Sequence, residues 1–422
     1  MLIKKPKGTK DILPEEVYKW KYIENAFSNL CSIFGYKQIR TPVFEYTELF
    51  QRGVGESTDI VQKEMYTFTD KGGRSITLRP EGTAGIVRSY IENGMDSYQK
   101  PIKLFYNVSA YRYENVQKGR YREFNQMGVE VFGAKSPDID VEIIGMIQRF
   151  LDEIGIENVK LNINNIGCPK CREKYNQKLK EYVKPHLDKM CSDCQKRYEK
   201  NPLRIIDCKI ESCKKITKNA PALLDYICDE CSKHFEGVKS GLENIGVEYY
   251  VDKNIVRGLD YYTKTVFEFV SDNVGTQGTI CAGGRYDDLI KQCGGPQTPG
   301  IGFAIGTERL LMEIENSKFT IPEDEPIDVF IASIGKKADL YAEKMVFELR
   351  NMGIRAEKDL MERSLKAQLK YAGKINCRYY LVFGENEISS KKAVIKNMIT
   401  KNEKEIKIDI KLLVEEIKNG GC

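Results

Sequence analysis

Histidine is nearly absent from this chain of 422 residues, which contains only His186 and His234. Catalytic triads built on an imidazole base and histidine-rich metal sites are therefore nearly excluded. No apolar run approaches the roughly 20 residues of a membrane span. No apolar segment follows the basic residues at the amino terminus, so we expect no secretory signal. The composition predicts a soluble globular protein.

Two common nucleotide-binding motifs are also missing. The chain contains no Gly-x-x-x-x-Gly-Lys-Ser/Thr, so a P-loop is not expected. No Gly-x-Gly-x-x-Gly opens a predicted βαβ unit, because the Gly300-x-Gly302 pair is followed by further strand sequence. Any nucleotide site must therefore be built from other elements.

The excess of positive charge lies in one part of the chain. The net charge is +5, and residues 327–422 contain 19 basic and 14 acidic residues, whereas the first 326 residues contain 47 of each. A local basic excess favours an acidic partner such as nucleic acid. A lysine-rich solvated surface is the alternative interpretation.

Hydrophobic periodicity predicts four segments and a linker. Residues 1–164 and 237–320 are predicted to form the two parts of an α+β domain on a mixed, mainly antiparallel sheet. Residues 165–236 are a cysteine-rich insertion, and residues 327–422 open with a βαβα pattern that predicts a small α/β domain. The acidic, proline-containing residues 321–326 are the predicted linker. Within the first domain we expect a strand at residues 36–41 and a helix at residues 285–293.

The most informative stretch is a predicted hairpin at residues 105–133, whose two strands are joined by a basic loop. The period of two places Gln126, Gly128 and Glu130 on one face of the second strand. Gly128 has no side chain, so we expect a ligand to lie close to the backbone there, with this face as the floor of a pocket. Arg112 continues a mostly apolar face of the first strand and requires an anionic partner, either Glu130 or a ligand.

Four segments combine arginine with glycine. They are the hairpin loop, which contains Arg112, Arg120 and Arg122, and residues 256–262, 281–287 and 300–310. Arginine neutralises phosphate, and glycine lets the backbone approach a ligand. Four such segments in one antiparallel sheet predict a nucleotide site that relies on arginine clamps.

Cysteine is concentrated in the insertion. Of the 13 cysteines in the chain, eight form three Cys-x2-Cys pairs and one Cys-x4-Cys pair, at Cys168, Cys171, Cys191, Cys194, Cys208, Cys213, Cys228 and Cys231. Two groups of four thiolates would make two tetrahedral zinc sites, with His234 as an alternative ligand. Idle reduced thiols are the other interpretation, and the spacing leaves the pairing of the cysteines open.

These motifs resemble those of the histidyl-tRNA synthetases, a family of class II aminoacyl-tRNA synthetases, over essentially the whole chain. Residues 36–42, 111–124 and 300–309 are similar to the three class II motifs, and residues 257–262 and 282–287 are similar to the two histidine motifs of the family. The resemblance implies a class II catalytic domain, a C-terminal anticodon-binding domain and a cytoplasmic homodimer.

The resemblance also implies an activity. A histidine–tRNA ligase activates L-histidine with ATP and Mg²⁺ to histidyl-adenylate, then transfers the histidyl group to the 3′ end of histidine tRNA. The alternative is a catalytically silent, synthetase-like regulatory subunit of histidine biosynthesis. Such subunits usually lack the Arg-Gly-Leu-Asp-Tyr-Tyr stretch and the C-terminal domain, and this chain contains both.

Site roles follow from the same resemblance. The implied catalytic residues are Arg112, which holds the α-phosphate, Arg257, which stabilises the developing charge, and Arg309, which holds the γ-phosphate. The implied histidine site comprises Glu81, Gly82, Thr83, Arg112, Gln126, Glu130, Arg257, Tyr261 and Tyr262. The implied ATP site comprises Arg112, Glu114, Arg122, Phe124 and Arg309, and the loop that reaches the tRNA acceptor end contains Gln117, Lys118 and Arg120. Arg112 and Glu130 are then expected to stand apart. If residues 261 and 262 lie in a strand, the side chains of Tyr261 and Tyr262 point to opposite faces of it.

Overall fold

The computed structural model describes residues 3–55, 58–271, 273 and 278–420. The outer ends of the first and last predicted segments, residues 1–2 and 421–422, lie outside the described residues. The chain divides into two compact units, with the boundary between Pro322 and Glu323. No helix within the described residues combines the length and apolar character needed to cross a bilayer.

The first unit is built on an eight-stranded sheet. Its strands are β1 Lys37–Gln38, β5 Ile102–Tyr111, β6 Glu123–Phe132, β7 Val159–Asn165, β8 Tyr250–Val251, β9 Thr263–Ser271, β10 Thr279–Arg285 and β11 Gly300–Gly306. Their order is β1-β5-β6-β11-β10-β9-β7-β8. The six central strands are antiparallel, and the two edge strands pair in parallel. A smaller sheet has the order β2-β4-β3, with β2 Phe44–Tyr46, β3 Thr67–Thr69 and β4 Ser75–Leu78.

Four of the helices in the first unit cover one face of the large sheet. The α-helices of this unit are α1 Pro14–Ile33, α2 Thr47–Phe50, α3 Thr83–Glu92, α4 Asp138–Glu153, α5 Pro169–Val183, α6 Ser192–Lys200, α7 Glu211–Thr217, α8 Asp229–Asn244, α9 Leu289–Gln292 and α10 Thr307–Asn316. Apolar residues of α1, α4, α8 and α10 pack against Met127, Val129 and Val131 of β6 in one buried core. Because side chains alternate along a strand, the polar face of β6 points away from this core.

The remaining helical turns are short. Two π-helical turns lie at Gln51–Gly55 and Ile60–Glu64, and 3₁₀ turns lie at Met95–Ser97, Lys184–Lys189, Pro202–Ile205 and Leu223–Tyr226. The last three 3₁₀ turns connect α5 to α8, so the cysteine-rich insertion consists of short helices. Apolar side chains of this insertion join a second core together with Tyr106 and Tyr286.

The hairpin predicted at residues 105–133 is confirmed as β5 and β6, whose antiparallel register pairs Tyr106 with Gly128. Two other local predictions were wrong in extent. The strand expected at residues 36–41 is only the two residues of β1. The helix expected at residues 285–293 shrinks to α9, because Arg285 extends β10 and pairs with Ile301 of β11.

The second unit is an α/β domain with a five-stranded sheet, as its alternating pattern predicted. The strands are β12 Val329–Ser333, β13 Ala356–Lys358, β14 Tyr379–Phe383, β15 Lys392–Asn397 and β16 Glu403–Lys407, in the order β13-β12-β14-β15-β16. The helices are α11 Lys336–Asn351, α12 Leu365–Lys374, α13 Glu385–Ser390 and α14 Ile410–Asn419. The first three strands are parallel and the last two are antiparallel additions. The short α13 was not predicted.

Candidate active site

A cavity of about 700 Å³ opens on the polar face of the large sheet. Its lining includes Phe124 and Gln126 of β6, backbone of β10 and β11, the segment at residues 256–262, and part of the cysteine-rich insertion. This volume lies in the range of small-ligand sites, roughly 300–1,000 Å³. The cavity is the candidate active site.

The three arginines with implied catalytic roles line the cavity from three different segments of the chain. Arg112, directly after β5, donates from Nε to the carbonyl of Pro80 at 2.9 Å, and its guanidinium lies 5.2 Å from the centre of the Phe124 ring. Arg309, in the first turn of α10, donates from Nη1 to the carbonyl of Thr279 at 2.7 Å. Backbone carbonyls and a ring thus orient these two guanidinium groups toward the cavity.

Arg257 differs from these two arginines because it has a carboxylate partner. Its Nη1 donates to Glu268 of β9, a partner that no pattern in the sequence indicated. Thr279 donates its hydroxyl to the second oxygen of the same carboxylate at 3.1 Å. Burial by itself would lower the pKa of Arg257, but Glu268, together with Tyr262 and Asp207, outweighs burial and raises the pKa. This guanidinium is therefore charged and fixed in position, and its buried Nε–H donor is without a partner.

Two other guanidinium groups, those of Arg112 and Arg120, lie near Arg309. Burial lowers the pKa of its guanidinium, and the nearby cations Arg120 and Arg112 lower it further, against the opposing carboxylate of Glu114. Glu114 accepts from Arg120 at 3.1 Å and lies 3.8 Å from Arg112. The carboxylates of Glu64 and Glu308 also lie among these groups, so this end of the cavity offers an anionic ligand guanidinium N–H donors and not a net positive charge.

Glu130 lies behind the cavity wall and is buried, with 1% of its surface exposed. Its carboxylate accepts hydrogen bonds from Thr83 at 2.6 Å, from Tyr106 at 3.3 Å and from Tyr286. Burial raises the pKa of Glu130 from 4.5 to about 8, against the opposing effect of the Thr83 and Tyr286 hydroxyls. No ion pair joins Glu130 to Arg112 in the described part of the chain. The two residues stand apart, as the resemblance implied.

We expect Glu130→Gln to stabilise the free protein in a pH-dependent manner. In the unfolded chain this carboxyl loses its proton near pH 4.5, whereas in the folded chain it keeps the proton up to about pH 8. The free energy of unfolding of the wild type therefore decreases as the pH rises from 4.5 to about 8, because the folded state binds more protons than the unfolded state in this range. Glutamine does not titrate, so the advantage of the variant should grow from pH 4.5 to about 8 and then level off. Urea unfolding at pH 5, 7 and 9 measures it, and equal differences at all three would contradict it.

The role predicted for Gly128 was wrong in one respect. A Cβ atom there would collide with the Tyr106 hydroxyl and the Phe303 carbonyl, and a Cβ atom at Gly82 would collide with the Tyr106 ring. The close approach that these glycines permit is therefore that of Tyr106, which brings its hydroxyl to Glu130. The sequence contained a signal for this contact. Tyr106 lies in the first strand of the predicted hairpin, directly opposite Gly128 on the predicted pocket face.

Tyr261 and Tyr262 both line the cavity and are both buried, so the expectation that they face opposite ways was wrong. The reason is that β9 begins only at Thr263, so the alternation of a strand does not apply to them. Their ring centres are 4.7 Å apart, and the ring of Tyr286 lies 5.5 Å from that of Tyr261. Tyr286, which the sequence analysis did not select, completes an aromatic wall beside Glu130.

Two polar side chains complete the end of the cavity beside the aromatic wall: Glu81, just before α3, and Gln126, on β6. Glu81 accepts from the backbone N–H groups of Thr83 and Ala84, each at 2.7 Å, and burial raises the pKa of its carboxyl. The side-chain oxygen of Gln126 is buried and has no hydrogen-bond partner. A ligand with N–H donors would satisfy this oxygen, since buried polar atoms are normally paired.

Several predicted residues lie outside the cavity lining. Arg122 stacks over the ring of Tyr113, with its guanidinium carbon 3.7 Å from the ring centre, instead of lining the ATP region. The hairpin loop residues Gln117 and Lys118 are also outside the lining, whereas Arg120 lines it. Gly82 lies under Tyr106. The structure thus brings together most, but not all, of the predicted site.

Arg285 is not a phosphate clamp, contrary to the expectation for the segment at residues 281–287. Its guanidinium is fully buried and pairs with Asp140 of α4 at 2.7 Å. It also donates to the carbonyls of Ala134 and Ser136 at 3.0 and 2.8 Å. His234 contacts the same carboxylate at 3.3 Å. Because Arg285 occupies the last position of β10 and points to the core, the segment contributes Tyr286 to the cavity and a structural ion pair behind it.

The structure groups the eight cysteines of the insertion into two clusters. The first tetrad is Cys168, Cys171, Cys228 and Cys231, and the second tetrad is Cys191, Cys194, Cys208 and Cys213. Within each tetrad the four sulfur atoms lie within 4.8 Å of one another. His234 belongs to neither tetrad, so the alternative ligand considered above is not supported.

Comparisons with known proteins agree with this geometry. The family model described as Histidyl-tRNA synthetase matches residues 8–310, and the model described as Anticodon binding domain matches residues 328–420. A curated relative from Acetivibrio thermocellus, named Histidine--tRNA ligase, is 67% identical and covers 97% of this chain and 98% of its own length.

Solved structures agree as well. The crystal structure of apo S. aureus histidyl-tRNA synthetase has a TM-score of 0.84 at 42% identity, covering 99% of this chain and 100% of its own. A Bacillus halodurans protein described as an ATP phosphoribosyltransferase regulatory subunit/histidyl-tRNA synthetase has a TM-score of 0.62 at 22% identity, covering 91% and 98%, and shares the fold. Sequence motifs, fold and the arginine-lined cavity lead to one conclusion: the chain belongs to the histidyl-tRNA synthetase family.

Proposed function

We propose that the protein is a histidine–tRNA ligase that uses ATP and releases AMP and pyrophosphate. The single observation that carries this proposal is the cavity itself, where three arginines from separate elements face an aromatic wall backed by the buried Glu130. One end suits phosphates and the other suits a small ring with N–H groups. The alternative of a silent regulatory subunit is disfavoured, because residues 257–262 and the C-terminal α/β domain are both present.

In the first step, an oxygen of the histidine carboxylate attacks the α-phosphorus of ATP, and pyrophosphate leaves. Arg112 holds the α-phosphate and the histidine carboxylate, Arg309 holds the γ-phosphate, and Arg257 stabilises the charge that develops at the α-phosphate. Such a transfer depends on positioning and charge neutralisation and needs no nucleophile from the protein. The fixed, paired guanidinium groups support these roles. In the second step, a hydroxyl at the tRNA 3′ end attacks the acyl carbon, and AMP leaves.

The histidine site is proposed at the opposite end of the cavity. Glu81, Thr83 and Gln126 bind the α-amino group, and the partnerless oxygen of Gln126 supports this assignment. Glu130 and the hydroxyl of Tyr261 or Tyr262 bind the two imidazole nitrogens, since neutral imidazole offers one donor and one acceptor. Gly82 acts indirectly, by giving room to Tyr106.

Mg²⁺ bound together with ATP would neutralise part of the phosphate charge. Mg²⁺ prefers carboxylate oxygens and phosphate oxygens, and Glu114 and Glu308 supply carboxylates on the cavity wall. These residues therefore fit a magnesium-bound triphosphate. Glu114 and Phe124 are proposed to contact the nucleotide, with Arg122 supporting them by its stacking on Tyr113.

The remaining assignments concern the parts of the chain and its partners. Residues 1–164 and 237–320 are proposed as the catalytic core, residues 165–236 as the insertion and residues 327–422 as the anticodon-binding domain, whose basic excess suits tRNA. Gln117, Lys118 and Arg120 are proposed to reach the acceptor end. We propose a cytoplasmic homodimer, and the exposed aromatic side chains of the small sheet, Phe44, Tyr46 and Phe68, support an interface there.

Histidine-dependent exchange of labelled pyrophosphate into ATP tests the proposed activity. We expect exchange with L-histidine and none with histidinol, which lacks the carboxylate that attacks the α-phosphorus. Charging of histidine tRNA by the same preparation tests the second step. Pure, folded protein that gives no exchange would refute the proposed function.

A further inference from the structure

The sulfur atoms of the two tetrads are spaced as metal ligands. Zn–S bonds of about 2.3 Å in a tetrahedron place neighbouring sulfurs about 3.8 Å apart, whereas a disulfide requires about 2.05 Å. The first tetrad has sulfur separations of 3.5 Å between Cys168 and Cys171 and 3.9 Å between Cys171 and Cys231. The second has 3.8 Å between Cys191 and Cys208.

The backbone around the tetrads also matches thiolate ligation. Cys168, Cys191 and Cys228 each precede the first turn of a helix, with a second cysteine three residues later. Backbone N–H groups point at sulfur, from Cys228 to Cys171 at 3.1 Å and from Cys191 to Cys213 at 3.3 Å. Donors aimed at sulfur stabilise the thiolate form, which is the metal ligand.

The first tetrad joins the two ends of the insertion. Cys168 and Cys171 lie where the chain enters the insertion after β7, and Cys228 and Cys231 lie where it leaves through α8. The side chain of Asn165, the last residue of β7, donates to the carbonyl of Cys231 at 3.0 Å. A metal here would fasten the insertion to the large sheet.

The second tetrad lies beside the cavity. Cys191 and Cys208 belong to the cavity lining, together with Arg257. Between these two cysteines, the buried Arg204 donates from Nη1 to the backbone carbonyl of Arg257 at 3.2 Å. Asn201 donates to the Asp260 carboxylate at 2.8 Å. The segment enclosed by the second tetrad therefore holds the backbone that carries the arginine.

We propose that the two tetrads bind one Zn²⁺ each and that the two metals have different roles. The zinc of the first tetrad closes the insertion onto the large sheet. The zinc of the second tetrad fixes residues 191–208 as a wall of the cavity, where Arg204 acts as a positioning residue for Arg257. The second role rests on the proposed function, whereas the metal content does not.

Elemental analysis of the full chain, purified without added metal, tests the two sites. We expect two zinc ions per chain, and one per chain in each of the variants Cys168→Ser/Cys228→Ser and Cys191→Ser/Cys208→Ser. X-ray absorption at the zinc edge should show four sulfur neighbours per ion. Folded wild-type protein with fewer than two zinc ions would overturn the assignment, as would a zinc shell of mixed sulfur and nitrogen. Both measurements use the wild type, so they decide the assignment even if a double variant fails to fold.

Arg204→Met tests the positioning role without touching a cysteine. We expect two zinc ions and a Tm lowered by no more than a few degrees, since one backbone carbonyl loses its donor. The kcat for pyrophosphate exchange should fall about tenfold, because small misplacements of a catalytic group are costly. KM for histidine should change little, and Arg204→Lys should restore part of kcat. Lys180→Met is the matched control, since it removes a cation of the insertion that pairs with Glu199 at 3.4 Å, and it should leave kcat unchanged.

The two hypotheses fail in distinguishable ways. Two zinc ions in a protein without histidine-dependent exchange would refute the proposed function and leave both metal sites in place. Exchange with an unchanged kcat in Arg204→Met would refute the positioning role alone.

Discussion

Replacing Arg257 by alanine is expected to lower kcat for histidine-dependent pyrophosphate exchange by about 10³-fold, within the range for arginines that stabilise phosphoryl-transfer transition states. The guanidinium is held in place on the cavity wall by Glu268, so it is positioned in advance for charge that appears only during attack on the α-phosphorus. An interaction made mainly in the transition state affects kcat more than ground-state binding. The affinity for histidine should therefore fall much less than kcat.

Exchange kinetics and equilibrium binding of histidine measure the two quantities separately. Arg350→Ala is a suitable control, because the exposed Arg350 of α11 pairs with Glu357 at 3.0 Å within the second unit, and the variant should leave both quantities unchanged. Equal losses in kcat and in histidine affinity would show that Arg257 binds substrate uniformly and would count against its proposed role.

Arg285→Met is expected to destabilise the protein strongly through the core. The variant leaves Asp140 buried without its main partner, and breaking a buried ion pair in this way costs about 3–5 kcal/mol of the free energy of unfolding. Burial by itself would raise the pKa of Asp140, but Arg285 and His234 outweigh burial and hold it below its usual range. Urea unfolding of the first unit measures the loss.

A second variant separates stability from catalysis. Asp140→Leu combined with Arg285→Met removes both charges and should recover much of the lost stability, since an apolar replacement of a buried pair is often nearly neutral. Protein that remains folded should keep its pyrophosphate exchange within a few-fold of wild type. A large loss of exchange at full stability would instead place Arg285 among the phosphate ligands.

Local patterns predicted much of the fold because they depend on near neighbours in the chain. The alternation along residues 124–132 sorted Met127, Val129 and Val131 into the core and Gln126 and Glu130 to the other face, as in β6. Two predicted elements had the wrong extent, the strand at residues 36–41 and the helix at residues 285–293. Pairing with distant strands sets where the observed elements end. Arg285 extends β10 because it pairs with Ile301, which no local pattern encodes.

The candidate site divides in the same way. The sequence by itself determined the residue types of the site: arginines for phosphate, few histidines, and cysteines at metal-ligand spacing. Only the tertiary structure decided which of them meet. It turned Arg285 into the core, filled the space above Gly128 with Tyr106, faced Tyr261 and Tyr262 the same way, and sorted eight thiols into two tetrads. The physical reason is that direction and proximity come from strand register and long-range packing, whereas the sequence specifies only the chemistry that packing then arranges.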